Sequence, residues 1–281
     1  MPATAREVVI IAEPDRALVE LCGISMLERL LRVLQRLGVR RASIVSSSPE
    51  EIRRHVQRPS WARSEIVVDL VSRDAISDMG GALLVDGGSY FDSRLLDPLL
   101  KSDTPVLLVD SVPAADTQPL LTALGRSAGH HICGAAFVDR GFRNAEATLA
   151  IFAALAATGI ELIDAREQPT YVTNLRRHIR PLWFPAPKPE NIRLAEDLVF
   201  DAAQNGTLDL PAIAHGPIET AIIRRLCWTR ITPMHITLFT AAVSSLVTVL
   251  FASGNLLAGT WLALVVGVLD GLDGKQARVK V

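Results

Sequence analysis

Between Ile231 and Leu269 lie 39 consecutive residues without a single Asp, Glu, Lys or Arg. No other property of the chain restricts its fold as severely. "TPMHITLFTAAVSSLVTVLFA" (232–252) has 21 residues, and at about 1.5 Å per residue it crosses a hydrocarbon core of about 30 Å. "SGN" (253–255) supplies a turn, and "LLAGTWLALVVGVLDGL" (256–272) runs back. The pattern predicts two antiparallel membrane-spanning helices, over 232–252 and 256–272; a hairpin buried in a soluble core is the alternative. Arg224, Arg225 and Arg230 precede the first run and Lys275, Arg278 and Lys280 follow the second, while the turn has neither Lys nor Arg. Positive charge on both flanks is expected to hold both ends in the cytoplasm, as a multi-pass arrangement in the cytoplasmic (inner) membrane. Ala258, Gly259, Ala263 and Gly267 let helix backbones approach closely, so the hairpin is expected to pack against further helices.

The residues before Ile231 are rich in charge. Across the chain, 29 Lys and Arg balance 30 Asp and Glu, a formal net charge of −1. That excludes a strongly basic nucleic-acid binder, and no nucleic-acid partner is expected. The opening "MPATAREVVIIAEPD" has an apolar run too short for a signal peptide, which places the front of the chain in the cytoplasm. Cys22, Cys133 and Cys227 are scattered and odd in number, so they predict neither a disulfide framework nor a zinc site. His130, His131 and His178 read as structural or exposed rather than catalytic.

The front half alternates β-rich runs with helical periodicity. Strands are expected at 7–12, 42–47, 65–71, 82–87 and 105–110. "SMLERLLRVLQRLG" (25–38) sets Met26, Leu30, Val33, Leu34 and Leu37 on one face and arginines on the other, an amphipathic helix ending at Gly38. A further helix starts at Pro49 with Ser48 as N-cap. Strand, helix, strand, repeated, predicts an α/β domain with a mostly parallel sheet covered on both faces. Its expected extent is 1–205. The Pro- and Gly-rich "TLDLPAIAHGP" makes 206–217 a linker. The run 218–231 reads as a juxtamembrane amphipathic helix, with Ile218, Ile222, Ile223, Leu226 and Trp228 beside arginines. The alternative is a surface helix packed on the soluble domain. The remainder, 232–281, is the membrane segment.

"VVIIA", then "GISMLERLLRVLQRLGVRRASIVSS", then "LLVDGGSYFDSRLLDPLL", with "PENIRLAEDLVFDAAQ" as a closing helix, resemble the nucleotidyltransferase fold of sugar-phosphate and alcohol-phosphate cytidylyltransferases. The resemblance covers about 200 residues. It implies a glycine-rich phosphate loop after the first strand, but "AEPDRALVELCG" (12–23) has one glycine, loses a donor at Pro14 and adds two negative charges. It implies two metal-binding aspartates. Asp86 fits the first, whereas "LWFPAPKPEN" (182–191) has none for the second. An inactive or repurposed domain is the expectation, with Asp86 a remnant metal site.

The run "LDGLDGKQARVKV" (269–281) ends the long uncharged stretch with two carboxylates. Asp270 and Asp273, three apart, share one face of a helix, and two hard oxygen donors suit Mg²⁺ or Mn²⁺ bridging to a diphosphate. Gly271 and Gly274 make room for a ligand to approach, Ala277 keeps a low wall, and Arg278 offers a fork of donors to phosphate.

Asp270-x-x-Asp273-Gly274-x-x-Ala277-Arg278 resembles the first half of the signature of the CDP-alcohol phosphotransferase family. "ITPMHIT" (231–237) is similar to that family's Thr-Pro-Asn-x-(Ile/Val)-Thr start of the first span, with Met234 in place of asparagine. A cytidylyltransferase-like domain fused to such a membrane domain also resembles enzymes that make inositol-phosphate phospholipids. The resemblance implies transfer of a substituted phosphate from a CDP-linked donor, of CDP-diacylglycerol type, to an alcohol, releasing CMP. It implies Mg²⁺ (or Mn²⁺) on Asp270 and Asp273, contacts to the CDP moiety from Gly274, Ala277, Arg278 and Thr237, a lipid bilayer around the chain and a homodimer. No catalytic base is expected within the chain, since the family's last aspartates would lie beyond Val281. Residues 1–281 alone are therefore expected not to turn over. The alternatives are a bifunctional cytidylyltransferase/phosphotransferase and a membrane-tethered, non-catalytic nucleotide-binding domain.

Overall fold

The computed structural model describes residues 7–58, 60, 64–71, 81–121, 126–127, 130–139, 150–204 and 210–280. It divides into two units: residues 1–171 with 178–195, and residues 172–177 with 196–281.

The first unit contains strands β1 (Glu7–Ile11), β2 (Glu20–Leu21), β3 (Ile24–Ser25), β4 (Arg41–Val45), β5 (Val67–Leu70), β6 (Ala82–Asp86), β7 (Ser89–Phe91), β8 (Val106–Asp110), β9 (Arg126–Ser127), β10 (His130–Val138) and β11 (Glu161–Asp164). Its helices are α1 (Pro14–Ala17), α2 (Met26–Arg36), α3 (Pro49–Gln57), α4 (Ser93–Lys101) and α5 (Ala150–Ala157). The main sheet has the order β11-β8-β10-β6-β1-β4-β5, with β9 beside β10. Neighbours β1/β4, β1/β6, β4/β5 and β8/β11 are parallel; β10 alone in this path runs antiparallel, to β6 and β8. The mostly parallel α/β sheet expected from the sequence is present. Where β10 pairs with β8 the register slips between Ile132 and Ala136, and Gly134 at φ 86° supplies the left-handed turn that such a bulge uses.

Both faces of the sheet are dry, as near-continuous apolar strands require. Val9, Ile11, Leu84, Leu107, Val109, Ile132 and Ala136 form one core with Ile151, Phe152 and Leu155 of α5. The alternate residues Val8, Ile10, Leu83, Val85 and Leu108 point to the other face and are fully buried too.

Two local expectations change. The arginines of α2 do not all face water: Arg29 is 1% exposed. It donates from Nη2 to the Leu21 carbonyl at 2.9 Å and lies 5.5 Å from the centroid of the Tyr90 ring. The hairpin β2–β3, turning at Cys22 (φ 53°) and Gly23 (φ 71°), presents that carbonyl where only a long donor reaches it. Ser48 precedes α3 but its side chain makes no capping bond; its backbone N–H donates to Ser46 Oγ at 3.2 Å.

The second unit is helical. The helix α6 (Ile192–Ala202) leads into it, followed by α7 (Leu210–Leu226), α8 (Pro233–Ala252) and α9 (Leu256–Val279). The residues read as a linker, 206–217, belong to α7 from Leu210 onward, and the predicted helix 218–231 ends at Leu226. Pro211 falls in the first turn, where its missing N–H costs nothing, while Pro217 sits inside and removes one intrahelical bond. The proline signal therefore marked a helix start rather than a gap. Gly259 admits the Phe251 ring and Thr237 meets Asp273, so α8 and α9 form an antiparallel hairpin. His215 lies at Gly267, Glu219 at Gly271, Thr220 at Lys275 and Cys227 at Lys280, so α7 runs parallel to the second half of α9. Gly267 and Gly271, four apart, are the small residues that let α7 in.

Two helices, α8 and α9, are long and apolar enough to cross a membrane. Only 11% of each apolar window is buried, which argues against a soluble core hairpin within this chain. Leu238, Phe239, Leu246, Val249, Leu257, Trp261 and Leu264 are each more than half exposed.

Tyr90 provides a test of the first unit. Its ring stacks on Phe184 at 4.9 Å, and burial pushes its hydroxyl up to about 12. An unfolded tyrosine ionises near about pH 10. The folded state therefore keeps a proton the unfolded state loses, and stability present below about pH 10 falls as pH rises toward about 12. Melting temperatures of the full chain in detergent should decline less steeply across that window in Tyr90→Phe than in wild type. Equal slopes would show that the fold does not hold the proton on the Tyr90 hydroxyl.

Candidate functional site

The site residues predicted near the chain's end come together on α9. With 3.6 residues per turn, Asp270, Asp273, Gly274, Ala277 and Arg278 fall within about 140° of one another around the helix. The opposite side holds Leu272, Lys275, Gln276 and Val279, all buried. The helix is thus anchored by one side and open on the other.

Polar bonds fix that rotation. Lys275 Nζ donates to Thr220 Oγ1 at 2.6 Å and to Gln204 Oε1. Gln276 Nε2 donates to the Ile231 carbonyl at 2.8 Å, and Lys280 Nζ to the Cys227 carbonyl at 2.6 Å. Buried cations bonded to these acceptors resist any turn of the helix that would carry them away into an apolar surround.

On the open side, Asp270 is exposed and makes no hydrogen bond among the described residues. Asp273 accepts at Oδ2 from the Thr237 hydroxyl of α8, 2.8 Å away, and at Oδ1 from the Gly274 N–H. Arg278 donates from Nε to the Ala203 carbonyl at 2.8 Å, and its guanidinium lies over Gly274, where a Cβ would stand 3.2 Å from Nη1. That bond uses Nε and leaves the two terminal nitrogens for an anion. Thr237, Asp273, Gly274 and Arg278 therefore form one contiguous surface, with Asp270 and Ala277 on the same stripe.

Gly271 departs from its expected role. The space beside it is filled by the Glu219 carboxylate, and any Cβ there would clash with it. Gly271 serves the contact with α7, whereas Gly274 is the residue that keeps the open side flat. The sequence reading missed Glu219, whose only signal was its place on a helix not yet known to lie there.

Two hard carboxylates three residues apart on the open side, Asp270 exposed and Asp273 with lone pairs beyond its two hydrogen bonds, suit a divalent cation that keeps waters and substrate oxygens as its other ligands. Among the described residues no three His, Cys, Asp or Glu side chains converge on one point.

Asp86, expected from the sequence as a remnant metal site, is a different case. It ends β6 at the carboxyl edge of the sheet, where open α/β sheets bind ligands. Its Oδ2 accepts from Arg16 Nη2 at 2.7 Å and from Ser89 Oγ at 2.5 Å, and its Oδ1 accepts from the Gly88 N–H at 2.9 Å. It is 1% exposed. Burial pushes its carboxyl up, while Arg16, Ser89 and Gly88 pull the other way. Gly88 is pressed against Arg16, with a Cβ there only 2.6 Å from Arg16 Cβ. The arginine of the Glu-Pro-Asp-Arg turn α1 thus fills the place where a cation would stand, and the residues do not fit a metal. Asp110, at the end of β8, is held likewise by Arg180 Nη2 at 2.6 Å and Trp183 Nε1 at 2.8 Å. Neither partnership was visible in the sequence, since 70 or more residues separate each pair.

No family model matches the sequence, and no curated protein matches it. Three solved structures show what the chain is similar to. UDP-glucose pyrophosphorylase from Acinetobacter baumanii has a TM-score of 0.47 at 10% identity, over 70% of this chain and 94% of its own. The inositol-1-phosphate CTP transferase from T. maritima has a TM-score of 0.45 at 11% identity, over 68% and 95%. HddC from Yersinia pseudotuberculosis has a TM-score of 0.45 at 13% identity, over 69% and 99%. The α/β assignment rests on the strand order and register themselves.

The two aspartate sites predict opposite responses to substitution. Asp86→Ala strands Arg16, whose side chain is 17% exposed, and should destabilise the first unit by about 3–5 kcal/mol. Asp270→Asn touches an exposed, unpaired group and should change stability by less than about 0.5 kcal/mol. Denaturant titration of the full chain in detergent measures both; a harmless Asp86→Ala would contradict the ion-pair description.

Proposed function

We propose that the chain serves membrane phospholipid synthesis, as a CDP-alcohol phosphotransferase-type membrane domain joined to a nucleotidyltransferase-like domain that no longer transfers nucleotides. One observation carries the reading: α9 buries Lys275 and Gln276 on one side and presents Asp270, Asp273, Gly274 and Arg278 on the other. A helix whose apolar stretch is surrounded by lipid has no structural use for an exposed carboxylate, and such groups mark function.

On this reading α8 and α9 cross the bilayer and the aspartates sit at its cytoplasmic face. Asp270 and Asp273 would hold Mg²⁺ or Mn²⁺, which would supply positive charge beside the donor's diphosphate. Arg278 directs its free terminal nitrogens to a phosphate oxygen. Gly274 and Ala277 leave the helix surface flat for the CDP moiety, and Thr237 borders it. The partners are the bilayer and the CDP-linked lipid.

The saturated Asp86 favours this reading over a bifunctional enzyme that makes its own CDP-alcohol. Bacterial membranes carrying the natural gene product should release CMP from CDP-diacylglycerol in the presence of Mg²⁺ and an alcohol acceptor. Asp270→Asn and Asp273→Asn should each lower that release by about 10²-fold or more, an effect of about 3 kcal/mol on the barrier, whereas Asp86→Asn should not block it by removing a metal ligand. Full activity in Asp270→Asn would leave the hairpin a tether, and metal-dependent CTP binding lost on Asp86 substitution would restore the bifunctional reading.

A further inference from the structure

The hairpin pairs more than one threonine with the aspartates. Phe251 faces Gly259 at one end and Thr237 faces Asp273 at the other, and the residue numbers of both pairs share one sum. The register is therefore constant along the hairpin and sets Thr240 level with Asp270. Two threonines three apart on α8 stand against two aspartates three apart on α9.

One of the two rungs is made. Thr237 Oγ1 reaches Asp273 at 2.8 Å, with the Pro233 carbonyl at 3.1 Å as a second acceptor within range. The other is not. Thr240 is 9% exposed and its Oγ1 has no partner among the described residues, while Asp270, level with it by the register, is exposed. Neighbouring hydroxyls behave otherwise: Ser244, Ser245, Thr248 and Thr260 each donate to the carbonyl four residues back in their own helix, at 2.9, 3.0, 3.2 and 2.9 Å. A buried hydroxyl without a partner is costly and calls for a specific explanation.

We propose that Thr240 is a positioning residue for Asp270, as Thr237 is for Asp273. When Asp270 turns toward the hairpin to hold a cation, the Thr240 hydroxyl donates to its outer oxygen and fixes the carboxylate. Hydrogen bonds of this kind orient ligating carboxylates, and losing one weakens metal binding by about 10–100-fold. The inference rests on Asp270 and Asp273 being a cation pair and goes beyond it by naming what aims them. Its sequence trace is the repeat of one spacing, Thr-x-x-Thr at 237–240 and Asp-x-x-Asp at 270–273.

The test is Mn²⁺ binding to the full chain in lipid nanodiscs, followed by electron paramagnetic resonance with CDP present, beside the melting temperature. Thr240→Val keeps the shape and removes the hydroxyl. It should leave the melting temperature unchanged or slightly raised, because an unsatisfied polar atom is lost, yet weaken Mn²⁺ about 10-fold. Thr240→Ser should bind Mn²⁺ like wild type. Thr240→Val with wild-type affinity would overturn the proposal and leave the cation pair intact. Wild-type protein that binds no more Mn²⁺ than the Asp270→Asn/Asp273→Asn double variant would overturn the cation pair itself, and this inference with it.

Discussion

A carboxylate on an apolar helix must be neutralised, hydrogen-bonded or kept at a polar boundary, and the second unit is organised around that requirement. Asp273 meets it with the Thr237 hydroxyl across the hairpin and the Gly274 N–H on its own helix. That crossing bond also joins α8 to α9 at the one place where both helices leave their apolar stretch. It shares one register with the Phe251–Gly259 contact, and that register sets Thr240 level with Asp270. Without the bond Asp273 would lose its link across the hairpin.

Asp86 shows what the same residue type does when the requirement is met completely. Three donors occupy it, one of them a guanidinium, and no lone-pair direction is left open to solvent. An arginine in place of a cation gives a charge that never dissociates, and with it a fixed link between α1 and the β6–β7 turn. Gly87 and Gly88 keep that link close: a Cβ on Gly87 would stand 2.9 Å from Ile10 Cγ2, and one on Gly88 would meet Arg16. With Arg16 tethered to it, Asp86 works as a structural group.

The strands were legible because runs such as Val8–Ile11 and Ala82–Val85 are apolar at every position, which only a doubly covered parallel strand tolerates. The hairpin was legible because 39 residues without charge leave few alternatives. What stayed hidden depends on partners distant in the chain. Arg29 reads as one more polar residue of an amphipathic helix until Leu21 turns its carbonyl inward. Gly271 reads as space for a ligand until α7 brings Glu219 to it. The linker failed differently: proline has two meanings at a helix, and the Pro211 of a first turn looks, in sequence, like the Pro of a gap. The D-x-x-D-G-x-x-A-R spacing was legible as one face because helical geometry alone decides it.

The basic residues after the second apolar run were read as an orientation signal, and the fold gives two of them another task. Lys275 and Lys280 are each 1% exposed and bonded inward, whereas Arg225 and Arg230 remain exposed beside Trp228 at the foot of α8. Of the basic residues on the two flanks, the exposed ones, Arg225 and Arg230, lie before α8, beside an aromatic residue of the kind that favours a headgroup layer. The lysines of α9 act on its rotation instead. Turning α9 by one residue, about 100°, would pull Lys275 from Thr220 and Gln204 and carry Asp273 away from Thr237. A buried cation that loses its acceptors costs several kcal/mol, so the lysines on one side hold the aspartates on the other. Charge that looks like a flank in the sequence works as the keyway of the site.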